Sequence, residues 1–171
     1  MAHSIEIPAT ASKPELYREL ALQLGALLAG ERDAIANAAN TAALLYHALP
    51  DVNWVGFYFL KKGELVLGPF QGKPACVRIA LGRGVCGTAA AAGRPVLVPD
   101  VHAFPGHIAC DAASRSELVV PLLENGVLSG VLDLDSPLPG RFDEADLSGC
   151  QRLAAIYLAA SYQAPAMEEE R

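Results

Sequence analysis

The chain has 171 residues, a formal net charge of −6 at pH 7, and 52% hydrophobic against 19% charged residues. That length suits one domain with ample apolar surface for a core, and no apolar run approaches the roughly 18 residues that a membrane span needs. Lysines and arginines are scattered, with no basic stripe interleaved with aromatics, which argues against nucleic acid as a partner. The opening MAHSIEIPATASKPELY has neither a basic n-region nor an apolar h-region, so no secretory signal is expected and the cytoplasm is the expected compartment. Four cysteines are then expected as reduced thiols unless a transient disulfide is part of the chemistry. Cys76, Cys86, Cys110 and Cys150 lack CxxC spacing, which excludes a zinc ribbon or a thioredoxin-type motif.

Residues 13–29 carry Leu16, Leu20, Leu24, Leu27 and Leu28 at helical spacing and predict an amphipathic helix. A second helix follows, with Ile35, Ala38, Ala42, Leu45 and Leu49 on one stripe and Pro50 as its stop. NWVGFYFL (53–60) is rich in aromatic and β-branched residues and reads as a strand that turns at Lys62-Gly63 into a second, ELVLGPF. ACVRIAL (75–81) is a third extended stretch, followed by a short helix in VCGTAAAAG and a short strand in RPVLVPD. Residues 100–116 form a long polar segment of little periodicity, and loops of that length in compact domains are often functional. ELVVPLL and GVLSGVLDLD are two strands joined through Glu124-Asn125-Gly126, a hairpin signal. A last helix starts near Asp143, its N-cap, with Leu147, Cys150, Ala154 and Tyr157 on one stripe.

This order predicts an α+β fold: a central, mostly antiparallel sheet with helices packed on one face and a ligand pocket under loops on the other. The expected organisation is a mobile segment at 1–12, a single domain over 13–163 and an acidic tail at 164–171.

Strand alternation sorts the candidate site residues. Trp54, Gly56 and Tyr58 share one face of their strand, and Val55, Phe57 and Phe59 the other, which is wholly apolar and reads as core. The first set suits a pocket with an apolar wall and polar tips. In the last strand Leu128, Leu132 and Leu134 face the core, and Asp133 and Asp135 share the opposite face with Val131. Two carboxylates so placed repel unless a cation or a shared proton lies between them. A ligand ammonium would serve, and Glu117, opening the neighbouring strand, could add a third carboxylate. A plain solvated sheet face is the competing reading.

Cys150 lies on the apolar stripe of the last helix and reads as a buried core thiol. Cys86 sits near a helix start, where the local dipole could lower its pKa. Cys76 is placed in a strand. Cys110 stands on the polar loop with His107 three residues before it, which makes it a better nucleophile candidate than a strand cysteine. His102, His107 and Cys110 with an aspartate fit no zinc spacing, so no metal is expected.

NWVGFYFL, GRGVCGTA, RPVLVPDV, FPGHIACD, ASRSELVVPL and GVLDLDSP, in this order, resemble the free methionine-(R)-sulfoxide reductases, single GAF-domain enzymes. The likeness spans residues 15 to 160, and ordinary GAF domains share the strand pattern without this cysteine trio. The resemblance implies that Cys110 is the nucleophile and Cys76 the resolving thiol, with Cys86 close by and able to join in thiol exchange. It implies that Trp54 and Tyr58 form an aromatic wall and that Glu117, Asp133 and Asp135 hold the substrate. It further implies no cofactor, a thioredoxin-type dithiol as electron donor, and a homodimer as one form to expect. Two rivals are a GAF domain that binds a small effector without chemistry, and a redox switch that senses peroxide. Three carboxylates would repel a phosphate-bearing effector, and a binding module has no use for three cysteines.

Overall fold

The computed structural model describes residues 11–106 and 112–162. His107 and Cys110, together with the N-terminal segment and the acidic tail, lie outside the described residues.

Two helices open the chain. In α1 (Lys13–Leu27) Ser12 and Glu15 form a capping box. In α2 (Ala34–Ala48) the Asp33 carboxylate accepts from the N–H groups of Ile35 and Ala36. Strands β1 (Trp54–Lys61), β2 (Glu64–Gly72) and β3 (Arg78–Ala80) follow, then α3 (Gly84–Ala92), β4 (Val96–Val98), a 3-10 turn at Val101–Ala103, β5 (Ser116–Glu124), β6 (Val127–Ser136) and α4 (Glu144–Tyr162). The strands form one sheet in the order β3-β2-β1-β6-β5-β4, with every pairing antiparallel. The chain therefore runs from the centre to one edge, crosses over through α3 to the other edge, and returns to the centre as β5 and β6.

The helices divide by face. Leu20 and Leu24 of α1, Ala42 and Leu45 of α2, and Leu153 and Tyr157 of α4 pack on Val55, Phe57, Leu132 and Leu134 in the larger core. A second, smaller core on the opposite face joins Trp54, Tyr58, Val119 and Val131 to Val85, Cys86 and Ala89 of α3. So the crossover helix, with the loops beside it, covers the pocket face. Among the described residues no helix is long and apolar enough to cross a membrane.

Both anticipated hairpin turns carry positive φ at each of their two residues, 53° and 85° at Lys62-Gly63 and 51° and 80° at Asn125-Gly126. That is the backbone of the two-residue turn whose twist matches the strands it joins. Cys150 is fully buried in the larger core and its thiol faces the Tyr17 hydroxyl at 3.7 Å.

Three placements depart from the sequence pattern. Ile35 is 53% exposed, because it sits in the first turn of α2, while the buried stripe starts at Asn37 and Ala38. Leu128 packs on the pocket-face cluster instead of the larger core. Leu122 pairs with Gly130 but Leu123 with Leu128, so Ser129 is an extra residue that reverses the alternation beyond it. Cys76 lies in an irregular segment, because β3 is only three residues long and starts after it.

Candidate active site

The pocket floor follows from sheet register. Asp135 stands between Trp54 and Glu117 across the central strands, and one pleat further Asp133 stands between Gly56 and Val119. Tyr58 and Val131 make the next row. Because residues two apart on a strand share a face, all of these project from the same side of the sheet. Three carboxyl groups from two strands thus meet against two aromatic rings.

Glu117 and Asp133 are buried and Asp135 half-buried. The Cys86 thiol donates towards Glu117 Oε1 across 3.9 Å, and one ligand atom from each of Cys86, Glu117 and Asp133 lies within 4.8 Å of the other two. Asp133 Oδ1 is buried with no hydrogen-bond partner among the described residues. Burial is the main influence on all three groups. It pushes Asp133 up to about 7, against the hydrogen bonds from Cys86 and Glu117. It pushes Glu117 well above the usual carboxylate range, reinforced by the charges of Asp133 and Asp135. Cys86 also goes well up, through burial and then the Asp133 and Glu117 charges. The helix start at Gly84 therefore does not activate Cys86: dehydration and two facing carboxyls outweigh the partial charge of the helix end.

The aromatic wall is a stack of three rings. Trp54 lies between Tyr58 and Phe70, with centroids 5.9 Å and 5.3 Å away. Phe70 was not anticipated, because Gly56 pairs with Phe70 but Tyr58 with Leu67, and this bulge turns Phe70 to the pocket face. Gly56 makes the stack possible: a Cβ there would run into the Trp54 ring and the Phe70 Cβ. Gly56→Ala is expected to cost about 1–3 kcal/mol by overpacking and to displace the Trp54 ring, measurable as a lower urea midpoint with altered tryptophan fluorescence. Unchanged stability would show that the stack yields freely.

The mouth of the pocket is basic. Lys73 and Arg83 line it, together with Pro74, Ala75 and the first turn of α3, while Ser114 closes another side and accepts a hydrogen bond from the Asn53 amide at 3.1 Å. Lys73, Pro74, Ala75, Arg83 and Ser114 were not singled out from the sequence, although Arg83 sits inside the GRGVCG segment.

The GAF domain family matches residues 14–159. The chain is 55% identical over 144 residues to the free methionine-R-sulfoxide reductase of Escherichia coli, covering 84% of this chain and 87% of that protein. Over 163 residues it is 40% identical to the enzyme of the same description from Saccharomyces cerevisiae, covering 91% of each. The fold superposes with a TM-score of 0.89, at 48% identity, on the free methionine-R-sulfoxide reductase of Neisseria meningitidis solved in complex with its substrate, covering 93% of this chain and 95% of that one. The chain belongs to the free methionine-(R)-sulfoxide reductases, a family of GAF-domain enzymes.

For a reductase of this family the structure brings together Trp54, Tyr58, Cys86, Glu117, Asp133 and Asp135 around one pocket. Cys76 stands apart from that lining, although its neighbours Pro74 and Ala75 belong to it. Cys110, the anticipated nucleophile of the reductase, lies outside the described residues.

Proposed function

We propose that this chain reduces the (R)-sulfoxide of free methionine to methionine, with Cys110 as nucleophile and a thioredoxin-type dithiol as final donor. The observation that carries the reading is the meeting of Glu117, Asp133 and Asp135 on one pocket face, with the buried pair raised in pKa and Asp133 Oδ1 without a donor among the described residues. Its support also comes from the relatives, reductases of that substrate by their descriptions.

The chemistry calls for such a pair. A sulfoxide sulfur is electrophilic, but its oxygen departs only when protonated. The Cys110 thiolate attacks the sulfur, the sulfoxide oxygen takes a proton, and methionine leaves with Cys110 as a sulfenic acid. Two buried carboxyls in contact cannot both ionise cheaply, so the Glu117–Asp133 pair keeps a proton near neutrality and is the acid. Asp135, nearer solvent, holds the substrate ammonium. Arg83 and the first residues of α3, Gly84 and Val85, line the same pocket, where the guanidinium and the positive end of the helix suit the carboxylate of the amino acid. The aromatic wall receives the methyl and methylene groups. The Cys76 thiol then condenses with the sulfenic acid, forming an S–S bond and releasing water, and the donor reduces the disulfide. Cys76 suits this second step better than Cys86, whose thiol is held protonated by burial and by its carboxylate neighbours.

Methionine formation from the free (R)-sulfoxide with a thiol donor, against no turnover for a binding module, tests the reading directly. The pH dependence tests the acid. The active form of the pair carries a proton: Asp133 is pushed up to about 7 and Glu117 well above the carboxylate range, so the pair still holds one at neutrality and single-turnover methionine formation should fall as Glu117 gives it up on the alkaline side. The thiolate requirement shapes the acid side. In Glu117→Gln the rate at neutral pH should drop by about 100-fold. A wild-type rate that stays level from pH 6 to 9 would remove Glu117 and Asp133 from the acid role.

A further inference from the structure

The polar tips of the aromatic wall are bonded to main chain. Trp54 Nε1 donates to the Lys73 carbonyl at 3.1 Å, and the Tyr58 hydroxyl donates to the Cys76 carbonyl at 3.0 Å. The Val77 carbonyl accepts from the Leu67 N–H at 2.9 Å. The irregular segment 73–77 between β2 and β3 is thus tied down at three carbonyls: one by Trp54, one by Tyr58, and one by the ladder edge. All three ties are to main chain, so the backbone beneath Cys76 is held while its thiol stays free.

We propose that Tyr58 is a positioning residue for Cys76: its hydroxyl holds the Cys76 backbone as the stationary partner in disulfide formation and so sets how fast the sulfenic acid is resolved. This rests on the reading that Cys76 resolves. The step is Cys110–SOH plus Cys76–SH giving the Cys76–Cys110 disulfide and water, with no other oxidant or reductant. A disulfide needs the two Cα atoms within about 7 Å and a narrow torsion about the S–S bond, and each unpinned backbone residue samples many states outside that window. Anchoring the carbonyl of the reacting residue itself removes that sampling on one side of the bond. The same ring that packs beside the substrate thereby couples the pocket wall to the place where the second thiol waits.

The test uses the full chain with one equivalent of free methionine (R)-sulfoxide and no donor. Sulfenic acid is trapped with dimedone at successive times and counted against the Cys76–Cys110 disulfide by peptide mass, each protein normalised to its own methionine release. Tyr58→Phe keeps the ring in the stack and removes only the hydroxyl. Its sulfenic acid should live at least about fivefold longer than in the wild type, the size of effect expected from one lost hydrogen bond. Cys76→Ser should lengthen it further, and Tyr58→Phe added to Cys76→Ser should change nothing more, because the hydroxyl acts only through Cys76. A wild-type lifetime in Tyr58→Phe, or additive effects in the double variant, would overturn the positioning role while leaving Cys76 as resolver. An unchanged lifetime in Cys76→Ser would instead overturn the resolving role on which it rests.

Discussion

Cys110→Ser is expected to abolish methionine formation, including the single turnover that needs no external reductant. The loss should reach at least about 1000-fold, or roughly 4 kcal/mol of transition-state stabilisation. A serine hydroxyl stays protonated where a thiol ionises, and oxygen is a poor nucleophile towards sulfoxide sulfur, so the first bond has no route to form. The other cysteines offer no ready substitute. Cys86 is buried with its pKa pushed well up by burial and by Asp133 and Glu117, and Cys150 is sealed in the larger core, its thiol pushed up to about 12 by burial. Cys76 lies outside the pocket lining. The measurement is methionine released from one equivalent of free (R)-sulfoxide under rapid quench. A burst of normal size from Cys110→Ser would move the attack to Cys86 or Cys76 and undo the mechanism given above.

N-acetylation of the substrate is expected to reduce kcat/KM by at least about 100-fold, equivalent to roughly 2.7 kcal/mol. Acetylation converts the ammonium to a neutral amide, so Asp135, proposed to hold it, loses its counter-charge. An uncompensated carboxylate in a partly dehydrated pocket is costly. On the proposed binding mode, methionine sulfoxide within a peptide, whose nitrogen is likewise an amide, should be rejected in the same way. The (S) epimer should be spared, because inversion at sulfur exchanges its oxygen and lone pair, so that with the two carbon substituents held as in the (R) form the oxygen would not meet the same acid. Steady-state kinetics on the free, N-acetylated and epimeric sulfoxides measure all three cases. Equal efficiencies on the free and acetylated forms would mean that the carboxylates do not bind an ammonium.

Local chemistry alone determines a good part of this protein. The leucine spacing of α1, the Asp143 cap of α4, the turns at Lys62-Gly63 and Asn125-Gly126 and the two-faced β1 are all properties of a few neighbouring residues, and they stand in the structure as the sequence pattern implies. So does the sorting of Trp54 and Tyr58 away from Val55, Phe57 and Phe59, since side-chain alternation follows directly from the extended backbone.

What only the tertiary structure decided depends on which strand lies beside which, and in what register. Glu117 meets Asp135 because β5 and β6 pair with that offset, a relation between residues 18 positions apart that no local pattern encodes. Bulges in β2 and β6 each insert one residue and reverse the alternation beyond them, which is why Phe70 joins the pocket wall and Leu128 leaves the larger core. Cys76 lies before β3 and not in the strand expected for it, and its carbonyl accepts from the Tyr58 hydroxyl, a residue 18 positions away. The direction of the Cys86 shift, too, is a property of assembly: the sequence places it by a helix end that would favour the thiolate, but folding buries it against Glu117 and Asp133, and desolvation with like charge outweighs a helix dipole.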